Sequence, residues 1–151
     1  MTAGDTAGAG TAALREALAA EHAAVWGYGT VGAALPPEAR AGAVAAELAH
    51  RGLRDVLVAL LEDRDAEPVP AEAGYRLPFP VLSPVDAAAL AVVLEEGVAE
   101  AWAVVLDRAD QGTVRRLAVD ALGGTETRAV AWRAAAGQTP VTRALPGLSP
   151  T

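Results

Sequence analysis

Residues 63–82 read DRDAEPVPAEAGYRLPFPVL, and this stretch decides the fold. Pro68, Pro70, Pro78 and Pro80 keep it out of any helix. Helical patterns lie on both sides of it. An extended segment of about 20 residues reaches roughly 65 Å. A helix of about 22 residues is only ~33 Å long. The segment can therefore run the full length of a helical bundle and let the next helix start at the same end as the last one. Tyr75, Leu77, Phe79 and Val81 are apolar enough to pack along a groove on the way.

Outward from this segment, the sequence predicts four helices. The first runs from about Thr11, a potential cap, to Ala34, with Leu14, Leu18, Val25 and Tyr28 at helical spacing. Pro36-Pro37 ends it. The second runs from about Pro37 to Glu62 with the stripe Ala43, Ala46, Leu53, Leu57 and Leu60. The third begins at the cap and first-turn proline Ser83-Pro84 and runs to about Ala109, with Leu90, Leu94, Val98, Trp102 and Val105 on one face. The fourth runs from about Thr113 to Ala136 with Val114, Leu117, Ala121, Ala129 and Trp132 inward. Gly123-Gly124 inside it predicts a kink or break. Connections one-to-two and three-to-four are short. One long crossover between two short connections predicts that helices two and three run parallel, unlike a simple up-down-up-down bundle. The expected organisation is a disordered lead-in over 1–10, an all-α four-helix bundle over 11–136, and an irregular Pro- and Gly-rich tail over 137–151.

Composition agrees with this reading. The chain has 151 residues, 52% of them hydrophobic but only 4% aromatic. Alanine, the best helix former, supplies about a quarter of the residues. There is no cysteine, which removes disulfides and thiolate metal sites. A net charge of −7, with no basic run longer than Arg115-Arg116, argues against a nucleic-acid partner. No stretch of ~20 apolar residues predicts a membrane span, and the N-terminus has no basic n-region. The expected location is cytoplasmic.

Polar residues on the apolar stripes mark the candidate site. Glu21 falls in line with Leu14, Leu18, Val25 and Tyr28, and His50 with Ala43, Ala46, Leu53 and Leu57. Glu95 sits at the edge of the third helix's apolar face. Glu47 precedes His50 by one turn, making a Glu-x-x-His. Carboxylates and an imidazole on facing helices are the donor types that bind Fe or Mn. The fourth helix supplies no second Glu-x-x-His. Asp120 falls off its apolar face, the residue three after Glu126 is Ala129, and Thr125 and Arg128 project inward instead. Two readings stay open. Glu21, Glu47, His50 and Glu95 are metal ligands, or Glu21, His50, Glu95 and Arg128 form a buried ion-pair cluster without metal. The second is preferred, and Glu47 then pairs with Arg51 on the surface. His22 lies on another face, as a surface or interface residue. Gly27, Gly29 and Gly32 lie in a helix pattern and form no phosphate loop.

Four stretches carry a family resemblance. They are AEHAAVWGYGTVG at 20–32, HRGLRD at 50–55, YRLPFP at 75–80 and LPGL at 145–148. With the helix order they cover about Thr11 to Leu148. The chain resembles a bacterial ferritin-like domain family of unknown function. The resemblance implies a ferritin-like four-helix bundle and no particular activity. Glu21, Glu47, His50 and Glu95 match ligand positions of ferritins and di-iron oxidases, while the fourth helix lacks its pair. The function expected is thus a ferritin-like bundle, non-catalytic, with a degenerate carboxylate and histidine centre. The alternatives are an Fe- or Mn-binding protein or metal-dependent oxidase, and a module that binds a small ligand or a protein. Trp26, Tyr28 and Val31 with the first helix's glycines exceed the apolar surface of one bundle face and predict a homodimer.

Overall fold

The structure is a computed structural model that describes residues 2–148. Met1 and residues 149–151, the ends of the expected lead-in and tail, lie outside the described residues. Among the described residues the order is α1 (Ala3–Ala34), a short 3-10 turn (Pro37–Ala39), α2 (Arg40–Glu62), α3 (Pro84–Arg108) and α4 (Gly112–Ala135), with no strand.

α1 starts well before Thr11. Thr2 caps it through a reciprocal box with Asp5: the Asp5 amide donates to Thr2 Oγ1 at 3.3 Å, and the Thr2 amide donates to Asp5 Oδ2 at 3.0 Å. The alanine-rich stretch that follows has no reason to leave the helix, so the stretch expected as a lead-in is helical from Ala3. Pro36 forces Leu35 into an extended conformation and ends α1. α2 closes in a Schellman motif. Asp65 takes the left-handed conformation (φ 52°), and the amides of Ala66 and Asp65 donate back to the carbonyls of Leu61 and Glu62. Ser83 caps α3 as expected, accepting from the Asp86 amide at 3.1 Å. α4 runs unbroken through Gly123-Gly124. The propensity penalty of two glycines is offset by packing on both sides, with Ala121, Thr125 and Ala129 all buried.

Helix directions follow from which residues meet. Glu21 of α1 meets Trp102 of α3 while Tyr28 meets Glu95, and Leu14 and Leu18 share a core cluster with Leu57 and Leu61 of α2 while Tyr28 and Val31 share the other with Ala43 and Ala46. α2 and α3 are therefore both antiparallel to α1 and parallel to each other. Val114 and Ala118 of α4 lie in one core cluster with Val105 and the C-cap Ala109 of α3, and Trp132 packs on the other cluster with Ala87 and Leu90, so α4 is antiparallel to α3. This is the up-down-down-up order with one long crossover. The crossover packs as expected: Leu77, Phe79 and Val81 lie against the upper core, Ala66 and Val69 against the lower. Tyr75 packs at a tilt against Trp26 with centroids 5.7 Å apart. His22 is not free surface; its Nε2 hydrogen-bonds the Val69 carbonyl at 3.0 Å and pins the crossover to α1.

The surplus apolar surface expected on α1 is mostly internal. Tyr28 and Val31 are buried, and a side chain at Gly27 would collide with Leu94. Trp26 alone is exposed, and it carries Tyr75. Among the described residues no helix is long and apolar enough to cross a membrane.

Candidate functional site

One residue from each helix meets at mid-height of the bundle. Glu21, His50 and Glu95 are fully buried. His50 lies between the two carboxylates: Nδ1 is 2.7 Å from Glu21 Oε2, and Nε2 is 3.1 Å from Glu95 Oε1. Arg128 Nε donates to Glu95 Oε1 at 2.9 Å. Tyr28, whose ring stacks on the His50 imidazole, donates a short hydrogen bond to the same oxygen. Trp102 Nε1 donates to Glu21 Oε1 at 2.7 Å. Thr125, also buried, turns its hydroxyl back to the Leu122 carbonyl.

The local sequence explains this convergence. Each group occupies a position that its helix would otherwise give to an aliphatic residue, so burial is imposed by the stripe and pairing follows from burial. Burial by itself lowers the affinity of the imidazole for a second proton. The hydrogen bonds and charges of Glu21 and Glu95 outweigh it and push the His50 pKa up to about 9. Burial also raises the Glu95 pKa, but His50 and Arg128 outweigh it and hold the carboxyl below its usual range. Tyr28 is pushed up by burial and by the Glu95 charge, so its hydroxyl stays protonated. At neutral pH the centre is therefore an imidazolium and a guanidinium set against two carboxylates, with no net charge.

Glu47 does not join this centre. It lies partly exposed and pairs with Arg51 one turn on, Nη2 to Oε1 2.6 Å, because α2's stripe passes through His50 and leaves position 47 at its flank. Asp120 is exposed. Glu126 points toward a second cluster that sequence reasoning missed. Arg133, 2% exposed, grips Glu126 with both terminal nitrogens (2.8 and 3.2 Å), reaches Glu96 at 3.2 Å and donates to the Val141 carbonyl at 2.8 Å. Burial favours a neutral Glu126, but Arg133 and Arg143 lower its pKa overall. The inward register of α4 is Val114, Ala118, Ala121, Thr125, Ala129 and Arg133. Leu117 and Trp132 stand at its edge.

The tail completes this second cluster. Gly137 (φ 68°) ends α4 in a Schellman turn and sends the chain back along the α3–α4 groove. Arg143 donates its amide to Glu126 and its guanidinium to Glu96. Gly147 (φ 78°) then presses onto α3, where a Cβ would lie 2.5 Å from the Ala99 carbonyl oxygen. The tail is irregular as expected, but it is a docked strap.

The donor types present suit Fe or Mn, but their arrangement does not. Both His50 nitrogens face carboxylates, and Arg128 holds Glu95 Oε1, the oxygen turned toward the centre. Among the described residues no three His, Asp or Glu side chains surround a point that holds a metal ion.

A family model described as "Domain of unknown function (DUF4439)" matches residues 13–150. The chain belongs to this family. Among solved structures, the DUF4439 chain is similar to the crystal structure of a conserved hypothetical protein, rv2844, from Mycobacterium tuberculosis. The two are 39% identical over 84% of this chain and 96% of that one, with a TM-score of 0.82. No curated protein matches. The family's description assigns no activity.

Proposed function

We propose that this DUF4439 chain is a non-catalytic member of the ferritin-like bundles, in which a salt-bridged, hydrogen-bonded layer stands where related bundles hold metal. One observation carries the reading: His50 hydrogen-bonds a carboxylate through each ring nitrogen. An imidazole in that position, protonated at neutral pH, has no lone pair to offer. A cation entering between Glu21 and Glu95 must displace a proton from His50 and sits close to the Arg128 guanidinium already held on Glu95 Oε1. Metal binding is thus opposed by two cations already in place.

Anaerobic titration of the chelator-treated protein with Fe(II) and with Mn(II) tests this. Neither ion is expected to bind stoichiometrically at micromolar concentration. Tight binding of one ion per chain, lost in His50→Ala, would establish the metal-binding alternative instead.

A further inference from the structure

The C-terminal strap roofs a cavity of about 210 Å³ between α3 and α4. Its charged lining is Glu95, Glu96, Glu100 and Glu126 together with Arg133 and Arg143. Most of these groups satisfy one another. Glu96 pairs with Arg133 and Arg143, and Glu126 with Arg133 and the Arg143 amide. Two buried atoms do not. Glu95 Oε2 and Arg133 Nε have no hydrogen-bond partner among the described residues, on side chains 0% and 2% exposed. Buried polar atoms are rarely left in this state.

Of the three buried atoms left without a partner among the described residues, these two belong to side chains that line the cavity; the third, Arg128 Nη2, does not. Glu95 Oε1 takes all three donors from the bundle centre, Tyr28, His50 and Arg128, and none of those residues lines the cavity. Oε2 is therefore the oxygen left for whatever enters. The two atoms ask for opposite partners, a donor for Glu95 Oε2 and an acceptor for Arg133 Nε. The charge is also lopsided. Four carboxylates line the cavity against two guanidiniums, and Arg128 offsets one more from behind, leaving one negative charge over. Ala99, Ala129 and Leu148 supply an apolar wall.

We propose that this cavity binds a small organic ammonium that also carries an oxygen acceptor. The ammonium sits between Glu95 Oε2 and Glu100, and the oxygen accepts from Arg133 Nε. The strap closes over the ligand through Pro146 to Leu148. This site lies beside the central layer and goes beyond the reading of it; the two share only Glu95.

Ethanolamine is the probe, and ethylene glycol is its neutral isostere. Each is titrated into the full chain, with heat measured for affinity and the Ala99 and Ala129 methyl resonances followed for location. Ethanolamine is expected to bind saturably and to shift both methyls, and ethylene glycol to do neither. Glu95→Gln should weaken ethanolamine at least tenfold. Glu100→Gln should weaken it severalfold; Glu100 is exposed, so that variant keeps the fold even where Glu95→Gln does not. No saturable binding would mean a merely hydrated cavity and would overturn the proposal. So would equal binding of the glycol, or affinity unchanged in Glu100→Gln. Fe(II) binding at the centre would overturn the preceding reading without altering the Glu100→Gln comparison, so the two failures are distinguishable.

Discussion

Arg128 is the residue on which the centre's charge balance turns. Removing it leaves Glu95 buried with His50⁺ as its only remaining cation, already shared with Glu21. Arg128→Ala should therefore destabilise the fold by about 2–3 kcal/mol, toward the low end for a broken buried pair because Arg128 is partly exposed. Chemical denaturation checks it, and a loss below ~0.5 kcal/mol would mean that water replaces the guanidinium freely. His50 gives a pH signature. Its folded pKa, about 9, lies above the ordinary 6.5, so its stabilisation is complete below pH 6.5 and is lost as pH rises toward 9. Glu95 works in the opposite direction: its pKa is held below the ordinary 4.5, so its contribution is complete above that pH and fades only in acid. Stability should peak between about pH 5 and 6.5 and fall by on the order of 2 kcal/mol by pH 9. A His50→Gln variant should lack that alkaline decline; if it declines equally, the imidazole is not its source. Glu21, His50 and Glu95 were legible in the sequence because a charge on an apolar stripe has to be paired or metal-bound. Their partners were unevenly legible. Arg128 was readable as the preferred, metal-free partner of these carboxylates, because it projects inward on the fourth helix. Arg133 was not seen, because an alanine-rich face fixes the phase of a helix too loosely to separate position 132 from 133.

At the scale of elements, the connections were the readable part. Proline spacing in 63–82 determined a crossover long enough to make α2 and α3 parallel, and its apolar residues pack where a groove exists. Two features went otherwise for physical reasons. The start of α1 was hidden because Thr2 and Asp5 form a cap in a segment of small residues, where composition resembles a linker. The Gly123-Gly124 break did not occur because tertiary contacts outweigh a local propensity cost of ~2 kcal/mol. The tail's docking depends on contacts far away in sequence, at Glu96, Ala99 and Glu126, which no local pattern encodes. Gly147 is its tightest point. Gly147→Ala places a methyl against the Ala99 carbonyl and the Ala103 side chain on a left-handed backbone, so the strap should lift from the groove. Amide exchange at residues 141–148 should accelerate at least tenfold while α3 and α4 stay protected. Unchanged exchange would show that the arginine contacts alone hold the strap.

For the whole molecule, the central layer divides the core in two. Leu14, Leu18, Leu57, Leu61, Trp102 and Val105 lie in one apolar cluster, and Tyr28, Val31, Leu35, Leu90 and Ala91 in the other. Between them one polar side chain from every helix meets its partners. Such a layer penalises any register in which the helices slide by a turn, because each slip strands a buried charge against aliphatic neighbours. If that is its role, the layer fixes the arrangement and adds little net stability, since desolvating four charges costs about as much as their pairing returns. Replacing all of it together should then be tolerated where replacing one member is not. The combined variant Glu21→Met, Tyr28→Phe, His50→Leu, Glu95→Met, Trp102→Phe and Arg128→Leu removes the charges and also the two donors that would lose their acceptors. It is expected to keep its helical circular dichroism, to melt no lower than Arg128→Ala, and to lose the decline in stability between pH 6.5 and 9. Its slower or less cooperative folding would be the mark of a lost register key. A variant that fails to fold would show instead that the ion pairs contribute most of the stability at mid-bundle, and the two apolar clusters would have to be regarded as insufficient on their own.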